Sequence, residues 1–334
     1  MSSPKISDIA KATGVSTATV SRVLSNPDLV KSATRERILQ AIDELNYQPN
    51  ALARQLRTQA TKTIIVISPN IKNSFWQEIL SAIGTEAELH GYQMLIADLH
   101  CQPSLEKYYI EAIQQRQVDG VISMSANTAP KLTQQIAENY PLVMAVQNVP
   151  NQTSPSVSID NIAAARALMT HLIRLGHRSI AHITASPLQF PYFDRYNSYV
   201  SALEENSIPV DNELIGYGEP TIMGGYKQMS ALLAKKKPIT AVFAAGDVMA
   251  IGAMKALKKH GLRIPEDCAV VGFDDIELSA FWEPALTTIR QPKEQIGRIA
   301  FQQLLSLMQK EPILNVKEIL PFELVIRESC GYYL

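Results

Sequence analysis

The sequence predicts a small all-α unit followed by two doubly wound α/β lobes built on parallel sheets. Three observations carry this. The stretch from Ile6 to Leu24 reads as two short helices joined by a tight turn. From Thr63 onward, short apolar runs alternate with helix-length stretches, as expected of parallel strands joined by crossover helices. That alternation runs through two tandem series without close sequence repetition, which suggests two lobes around a cleft.

In the N-terminal unit, Ile6, Ile9 and Ala10 give a first helix its apolar face, and Gly14 supplies the turn. Ser16 stands as N-cap of a second helix, in which Val20, Val23 and Leu24 return at helical spacing to pack on the first. A third helix, from about Thr34 to Asn46, places Ile38, Ala41, Ile42 and Leu45 toward the same small core. Tyr47-Gln48-Pro49 ends it, because proline disfavours helix in the residue before it. Asn50 then caps a short segment, Ala51 to Leu56, and the polar stretch from Thr58 to Thr63 reads as a linker.

The run Ile64-Ile65-Val66-Ile67 suits a strand buried on both faces. A helix over about Ser74–His90 follows, then strand 94–97, helix 105–116, strand 120–123, a helix from Lys131 and strand 142–146. The second series runs helix 161–175 with Gly176 as its C′ residue, strand 179–184, helix 192–206 and strand 214–216. Helix 223–233, strand 241–244, helix 248–260, strand 269–272 and strand 322–326 complete it.

Composition bounds the function. The chain has 334 residues, 46% hydrophobic and 19% charged, suited to a globular protein of two or three domains. Its net charge of −1 carries no nucleic-acid signature, but the distribution does. Residues 1–62 hold nine Lys/Arg against five Asp/Glu, and the remainder 22 against 27. A basic end on an acidic body puts the electrostatic footprint at the N-terminus. With no apolar signal core and no run of the ~20 apolar residues that cross a bilayer, a cytoplasmic protein is expected. Cys101, Cys268 and Cys330 are scattered and read as free thiols. No nucleophile elbow, Walker loop, G-x-G-x-x-G or H-E-x-x-H occurs, and the six histidines are dispersed. Neither catalysis nor a metal or cofactor is expected.

The run Ile6–Leu24, with Ala33–Ile38, Leu45–Asn50 and Ala51–Leu56, resembles the helix-turn-helix headpiece of the lactose repressor family of bacterial transcription regulators. The likeness continues through Ile159-Asp160-Asn161, Leu175–Ile180, Gly246–Ala253, Val271–Asp275 and Pro284–Pro292, and so covers essentially the whole chain. The chain as a whole resembles the family's cytidine and purine repressor branches, and Ser16–Arg22 and Pro69–Ile79 look most like the cytidine branch. The resemblance implies a headpiece at 1–49, a hinge helix and linker at 50–62, and a periplasmic-binding-protein-like core at 63–334. Within that core it implies one lobe at about 63–160 and 291–320, and the other at about 161–290 and 321–334. It further implies operator DNA, a small-molecule effector and a homodimer at the bacterial nucleoid. No heptad-bearing tail follows strand 322–326, so a dimer is expected over a tetramer.

For DNA, Thr17, Ala18 and Arg22 are the base-reading candidates. Arg donates two hydrogen bonds to guanine, and Thr and Ala methyl groups touch thymine. Ser16, Thr19, Ser21, Asn26 and Thr34 suit phosphate contact or capping. By resemblance the hinge segment lies in the minor groove with Asn50 and Ala53, and Leu56 wedges into a base step. For the effector, the resemblance pairs Arg195 with Asp274 as polar clamps, and places Phe75 and Trp76 where an aromatic ring stacks on a flat base. Gln147, Ile159, Asp160 and Gln291 are lining candidates, and Asp275 reads as a helix N-cap. Two departures bear on the ligand: Pro220 replaces an aromatic residue, and Gly246 a polar amide.

The expected protein is therefore a ligand-regulated repressor that binds a pseudo-palindromic operator and senses a nucleoside-like or sugar-like molecule. The alternatives are a small-molecule binding protein without DNA activity and an α/β enzyme with a helical cap. The intact headpiece speaks against the first, and the absence of a convergent acid, base, nucleophile or phosphate loop against the second.

Overall fold

A computed structural model describes residues 4–47, 60–100, 118–125, 136–147, 153–186 and 191–331, with residues 102, 105, 108, 109 and 113. It separates into two compact units, residues 1–61 and 62–334.

The first unit holds helices α1 (Ile6–Thr13), α2 (Thr17–Ser25) and α3 (Ser32–Glu44). Gly14 ends α1 at φ +66°, where a side chain is strained and glycine is not. Ser16 caps α2 as expected, its Oγ accepting from the Thr19 amide at 3.1 Å. Ile9, Ala10, Val20, Val23, Ile38 and Ala41 form the core. Two expected core residues are not in it: Leu24 is 37% and Leu45 40% exposed. Leu45 lies beyond the last turn of α3, and α3 begins two residues earlier than expected, at Ser32.

The second unit contains two parallel sheets. The larger has six strands in the order β11-β5-β4-β3-β1-β2, and the smaller four, in the order β7-β6-β8-β9. The larger comprises β1 (Thr63–Ser68), β2 (Gln93–Asp98), β3 (Gly120–Ser123), β4 (Leu142–Ala145), β5 (Ser156–Ile159) and β11 (Lys317–Leu320). The smaller comprises β6 (Ile180–Thr184), β7 (Ile215–Tyr217), β8 (Ala241–Ala244) and β9 (Ala269–Val271). β10 (Thr288–Arg290) and β12 (Glu323–Val325) pair antiparallel.

Both sheets reverse strand order beside their first strand, at β1/β3 and at β6/β8. The carboxyl ends of strands at such a switch point form the crevice where ligands bind open α/β sheets.

The helices that frame these ends are α4 (Ser74–Leu89), α5 (Asn161–Arg174), α6 (Tyr192–Glu205), α7 (Ile222–Ala234) and α8 (Asp247–Lys259). The short α9 (Glu277–Phe281) and the long α10 (Lys293–Gln309) complete the unit. α10 packs closely on α4: a Cβ at Gly297 would meet the Ile79 carbonyl oxygen at 2.7 Å. Glycine there lets the two helices approach.

Of the expected helix over 105–116 only residues 105, 108, 109 and 113 are described, and all four are helical; the start of the one from Lys131 lies outside the described residues. β7 begins one residue later than expected, because Leu214 closes a 3₁₀ turn before it.

Candidate functional site

In the headpiece, α2 turns Val20 and Val23 inward and leaves Ser16, Thr17, Ala18 and Arg22 exposed. Thr19 and Ser21 are half-buried, with Thr19 Oγ1 2.9 Å from Ser16 Oγ. Asn26 is exposed at the end of α2, and Thr34 is half-buried in the first turn of α3. The two exposed small residues and one arginine thus stand on a short, solvated helix whose other side is the headpiece core. Asn50, Ala53 and Leu56 lie outside the described residues.

In the larger unit, the carboxyl ends of β6 and β8 gather a buried polar centre. Arg195, in the first turn of α6, is 2% exposed. Its Nη1 donates to the Ala245 carbonyl at 2.6 Å, just past β8. Nε and Nη2 both donate to Asn161 Oδ1, at 3.1 and 3.0 Å. The guanidinium lies 3.6 Å from the centre of the Phe273 ring, a cation–π contact in a desolvated site. Asp274 Oδ1 stands 3.6 Å from Arg195 Nη2, so the two expected clamps are neighbours at the same strand ends. Burial lowers the affinity of Arg195 for its proton, and the Asp274 carboxylate opposes that shift.

Asp274 is itself buried. Burial pushes its carboxyl up to about 7, against the pull of Arg195 and with a further push from Asp247. Gln291 Nε2 donates to Asp274 Oδ1 at 2.8 Å. No hydrogen bond runs to Oδ2 among the described residues. A Cβ at Gly246 would stand 3.5 Å from Oδ2 and meet nothing else within 4 Å. Gly246 therefore leaves open the space in front of that oxygen. This is the arrangement expected of an acceptor that waits for a hydroxyl donor.

Asp247 braces the same turn. It is fully buried, and its carboxylate accepts from Thr288 Oγ1 at 2.6 Å, Ser279 Oγ at 2.8 Å and the Ile276 amide at 2.9 Å. Burial raises its carboxyl, and these donors counter the rise. Asp274 and Asp275 take φ +117° and +50°, a conformation that non-glycine residues adopt only when their surroundings hold them. The expected capping role of Asp275 is corrected here. The N-cap position of α9 is Ile276, and Asp275 instead pairs with Arg290 and Arg327, each at 2.7 Å.

The remaining candidates are spread more widely. Asp160 is exposed and caps α5, accepting from the Ala163 amide at 2.9 Å. Gln147 is buried past the end of β4 and donates to the Met124 carbonyl at 2.9 Å. Its Oε1 is buried without a partner among the described residues. Ile159 sits in the core of the smaller lobe. Phe75 and Trp76 are buried edge-to-face at 4.8 Å, in the apolar cluster that also contains Ile251 and Ile276. Both aromatics thus belong to the contact between the lobes.

Sequence reasoning missed Asn161, which holds Arg195 in place, and Asp247 as a strut. No sequence signal pointed to either, because both act through contacts set by the tertiary fold.

His182, on β6, lies stacked on Tyr199 at 4.8 Å, and burial depresses its imidazole to about 4. Cys268 and Cys330 are free and buried. Among the described residues no cluster of His, Cys, Asp or Glu is set to hold a metal ion, and no helix is long and apolar enough to cross a membrane.

Comparison with known proteins bears on both units. Residues 5–50 match the family of bacterial regulatory proteins of the lacI type, and residues 169–330 match a periplasmic binding protein-like domain. The chain is 40% identical over 324 residues to the HTH-type transcriptional repressor CytR of Escherichia coli strain K12, covering 96% of this chain and 95% of that one. It is 34% identical over 330 residues to the HTH-type transcriptional repressor PurR of Pectobacterium atrosepticum, covering 98% and 96%. The fold superposes on the lac repressor dimer bound to operator and the anti-inducer ONPF with a TM-score of 0.86, at 28% identity, covering 98% of this chain and 99% of that one.

Proposed function

The chain belongs to the lacI family of bacterial regulatory proteins, and on that premise we propose that it is a homodimeric repressor whose operator binding is set by a nucleoside-like or sugar-like effector. The observation that carries the regulatory half is the buried Arg195–Asp274 centre, with Asp274 Oδ2 facing the gap that Gly246 leaves. A ribose or sugar hydroxyl donates to that oxygen, and Arg195 sets the charge of the site. A pyrimidine nucleoside is the first candidate ligand, on the likeness of Pro69–Ile79, and a sugar the second.

In this reading the headpiece spans 1–49, the hinge 50–62 and the core 63–334. Thr17, Ala18 and Arg22 read bases. Ser16, Thr19, Ser21, Asn26 and Thr34 position the backbone, and Asn50, Ala53 and Leu56 engage the minor groove. Gln147, Asp160 and Gln291 line the effector site with Arg195 and Asp274. Phe75 and Trp76 reach a base only if the lobes part, because both are buried between them here. The dimer is supported by apolar surface that one copy leaves bare. On edge strand β2, Leu95 and Ile96 are each 48% exposed, and Phe281 of α9 is 76% exposed.

The test is a selection of binding sites from random DNA by the full chain, joined to a thermal-shift screen of nucleosides, purine bases and sugars. Two symmetric half-sites and one stabilising ligand class are expected. A ligand at 100 times its Kd adds about 2.7 kcal/mol. Enrichment of no DNA sequence overturns the repressor reading in favour of a binding protein without DNA activity.

A further inference from the structure

Lys293 is the first residue of α10, the helix that packs along α4 of the larger lobe, yet its side chain serves the smaller one. It is 8% exposed. Its Nζ donates to the Asp275 carbonyl at 2.5 Å and stands 3.4 Å from the Asp274 carbonyl. Both oxygens belong to the turn of positive φ that presents the Asp274 carboxylate. The same Nζ lies 3.0 Å from Glu78 Oε1, on α4, two residues after Trp76. One buried ammonium therefore joins the helix that carries the Phe75–Trp76 pair to the backbone of the turn that carries the site carboxylate.

We propose that Lys293, braced by Glu78, is a positioning residue that makes the geometry of the Asp274 turn depend on the arrangement of the two lobes. The inference rests on the effector reading above and extends it to the residue that transmits the effector's signal.

The physics follows from the contacts. A buried ammonium without acceptors is costly, so Lys293 holds all three oxygens or is forced to find others. A movement of α4 and α10 relative to β9 drags Lys293 away from the Asp274–Asp275 carbonyls, and the turn then loses a donor that helps to hold its positive φ. Conversely, an effector that fixes Asp274 favours the lobe arrangement in which Lys293 reaches the turn. A ligand shifts a two-state equilibrium only through such a difference in contacts. Glu78 is half-exposed and guides the ammonium, whereas the two carbonyls are the buried partners.

The experiment uses the full chain as wild type, Lys293→Met, Lys293→Arg and Glu78→Gln. Cytidine is the ligand, and a DNA fragment selected by the wild type is the operator. The quantity read is the ratio of DNA dissociation constants with and without saturating cytidine. Lys293→Met is expected to reduce the wild-type ratio by about fivefold or more, Lys293→Arg to restore it within about twofold, and Glu78→Gln to fall between. A wild-type ratio in Lys293→Met overturns the proposal.

Hydrogen exchange on the ligand-free protein decides independently of cytidine. Lys293→Met should deprotect residues 75–79 and 274–276 together. Deprotection of 274–276 alone makes Lys293 a local brace and overturns the coupling. If the wild type shows no response to cytidine, the pyrimidine-nucleoside candidate fails while the exchange experiment still judges the latch.

Discussion

Gln291 Nε2 donates to Asp274 Oδ1 at 2.8 Å, across a parallel bridge between residues 274 and 290. Gln291 stands where the chain leaves β10 for the larger lobe, so the segment that links the lobes also orients the site carboxylate. Oδ1 is occupied and Oδ2 faces Gly246. The Asp274 carboxylate thus keeps one oxygen open, and burial pushes its carboxyl up to about 7.

The titration predicts a signed pH effect. The Asp274 carboxyl is raised to about 7 in the folded protein, from an ordinary value of 3.8. The folded state therefore holds its proton more tightly than the unfolded chain. The resulting stability is complete below about pH 4, declines as pH rises, and is gone above about pH 7. His182, depressed to about 4, acts oppositely in the same window, gaining stability as pH rises. The difference between wild type and Asp274→Asn isolates the first effect. Urea unfolding at pH 5 and pH 8 should show the Asn variant gaining on the wild type at the higher pH. A constant difference between the two contradicts the burial of an ionised Asp274.

Asp247→Ala should be severely destabilising. It leaves the Thr288 and Ser279 hydroxyls and the Ile276 amide without their acceptor in a dry site. Each of the three orphaned donors costs about 1–3 kcal/mol, so a loss of about 3 kcal/mol or more in denaturant unfolding of the core is expected. A loss below about 1 kcal/mol means that water or a shifted turn replaces the carboxylate.

Arg22→Ala should relax base preference at one position of each half-site and weaken binding by about 1–3 kcal/mol per lost bidentate contact. Selection from randomised DNA reads this directly. Unchanged preference with a weaker overall affinity would place Arg22 on phosphate.

Leu56→Ala should weaken specific binding and reduce DNA bending while effector affinity is kept. On the proposed role of Leu56, the substitution removes an apolar wedge that offsets unstacking of a base step. A circular-permutation gel assay measures the bend, and a wild-type angle in the variant refutes the wedge.

Much of the fold is readable from local chemistry. Ile64–Ile67, the middle of β1, is continuously apolar, as a central parallel strand must be, and β1 lies between β2 and β3. The Ser16 cap and Gly14 turn follow from side chains acting on adjacent backbone. β5 escaped notice because Ser156-Val157-Ser158-Ile159 looks like half a buried strand, although all four residues are buried. Its serines are covered by tertiary packing, which a local pattern does not reveal. α10 was hidden for a similar reason: Gly297 and Gln303 interrupt its apolar face, and both are buried against neighbouring structure. At the site, Arg195 and Asp274 were legible as a pair, but their surroundings were not. Asn161 reaches Arg195 across 34 residues, and Arg327 reaches Asp275 from the far end of the core. Those contacts are set by topology, so the capping role that local sequence assigned to Asp275 gave way to two ion pairs.

The most direct test of a ligand-regulated repressor is operator binding by the full-length wild type and by Asp274→Ala, each titrated with the ligand that stabilises the wild type. Both proteins are expected to bind operator equally without ligand, and ligand is expected to change the affinity of the wild type alone. Equal ligand response in the two proteins would contradict that expectation, because the effector would then act without the Asp274 carboxylate.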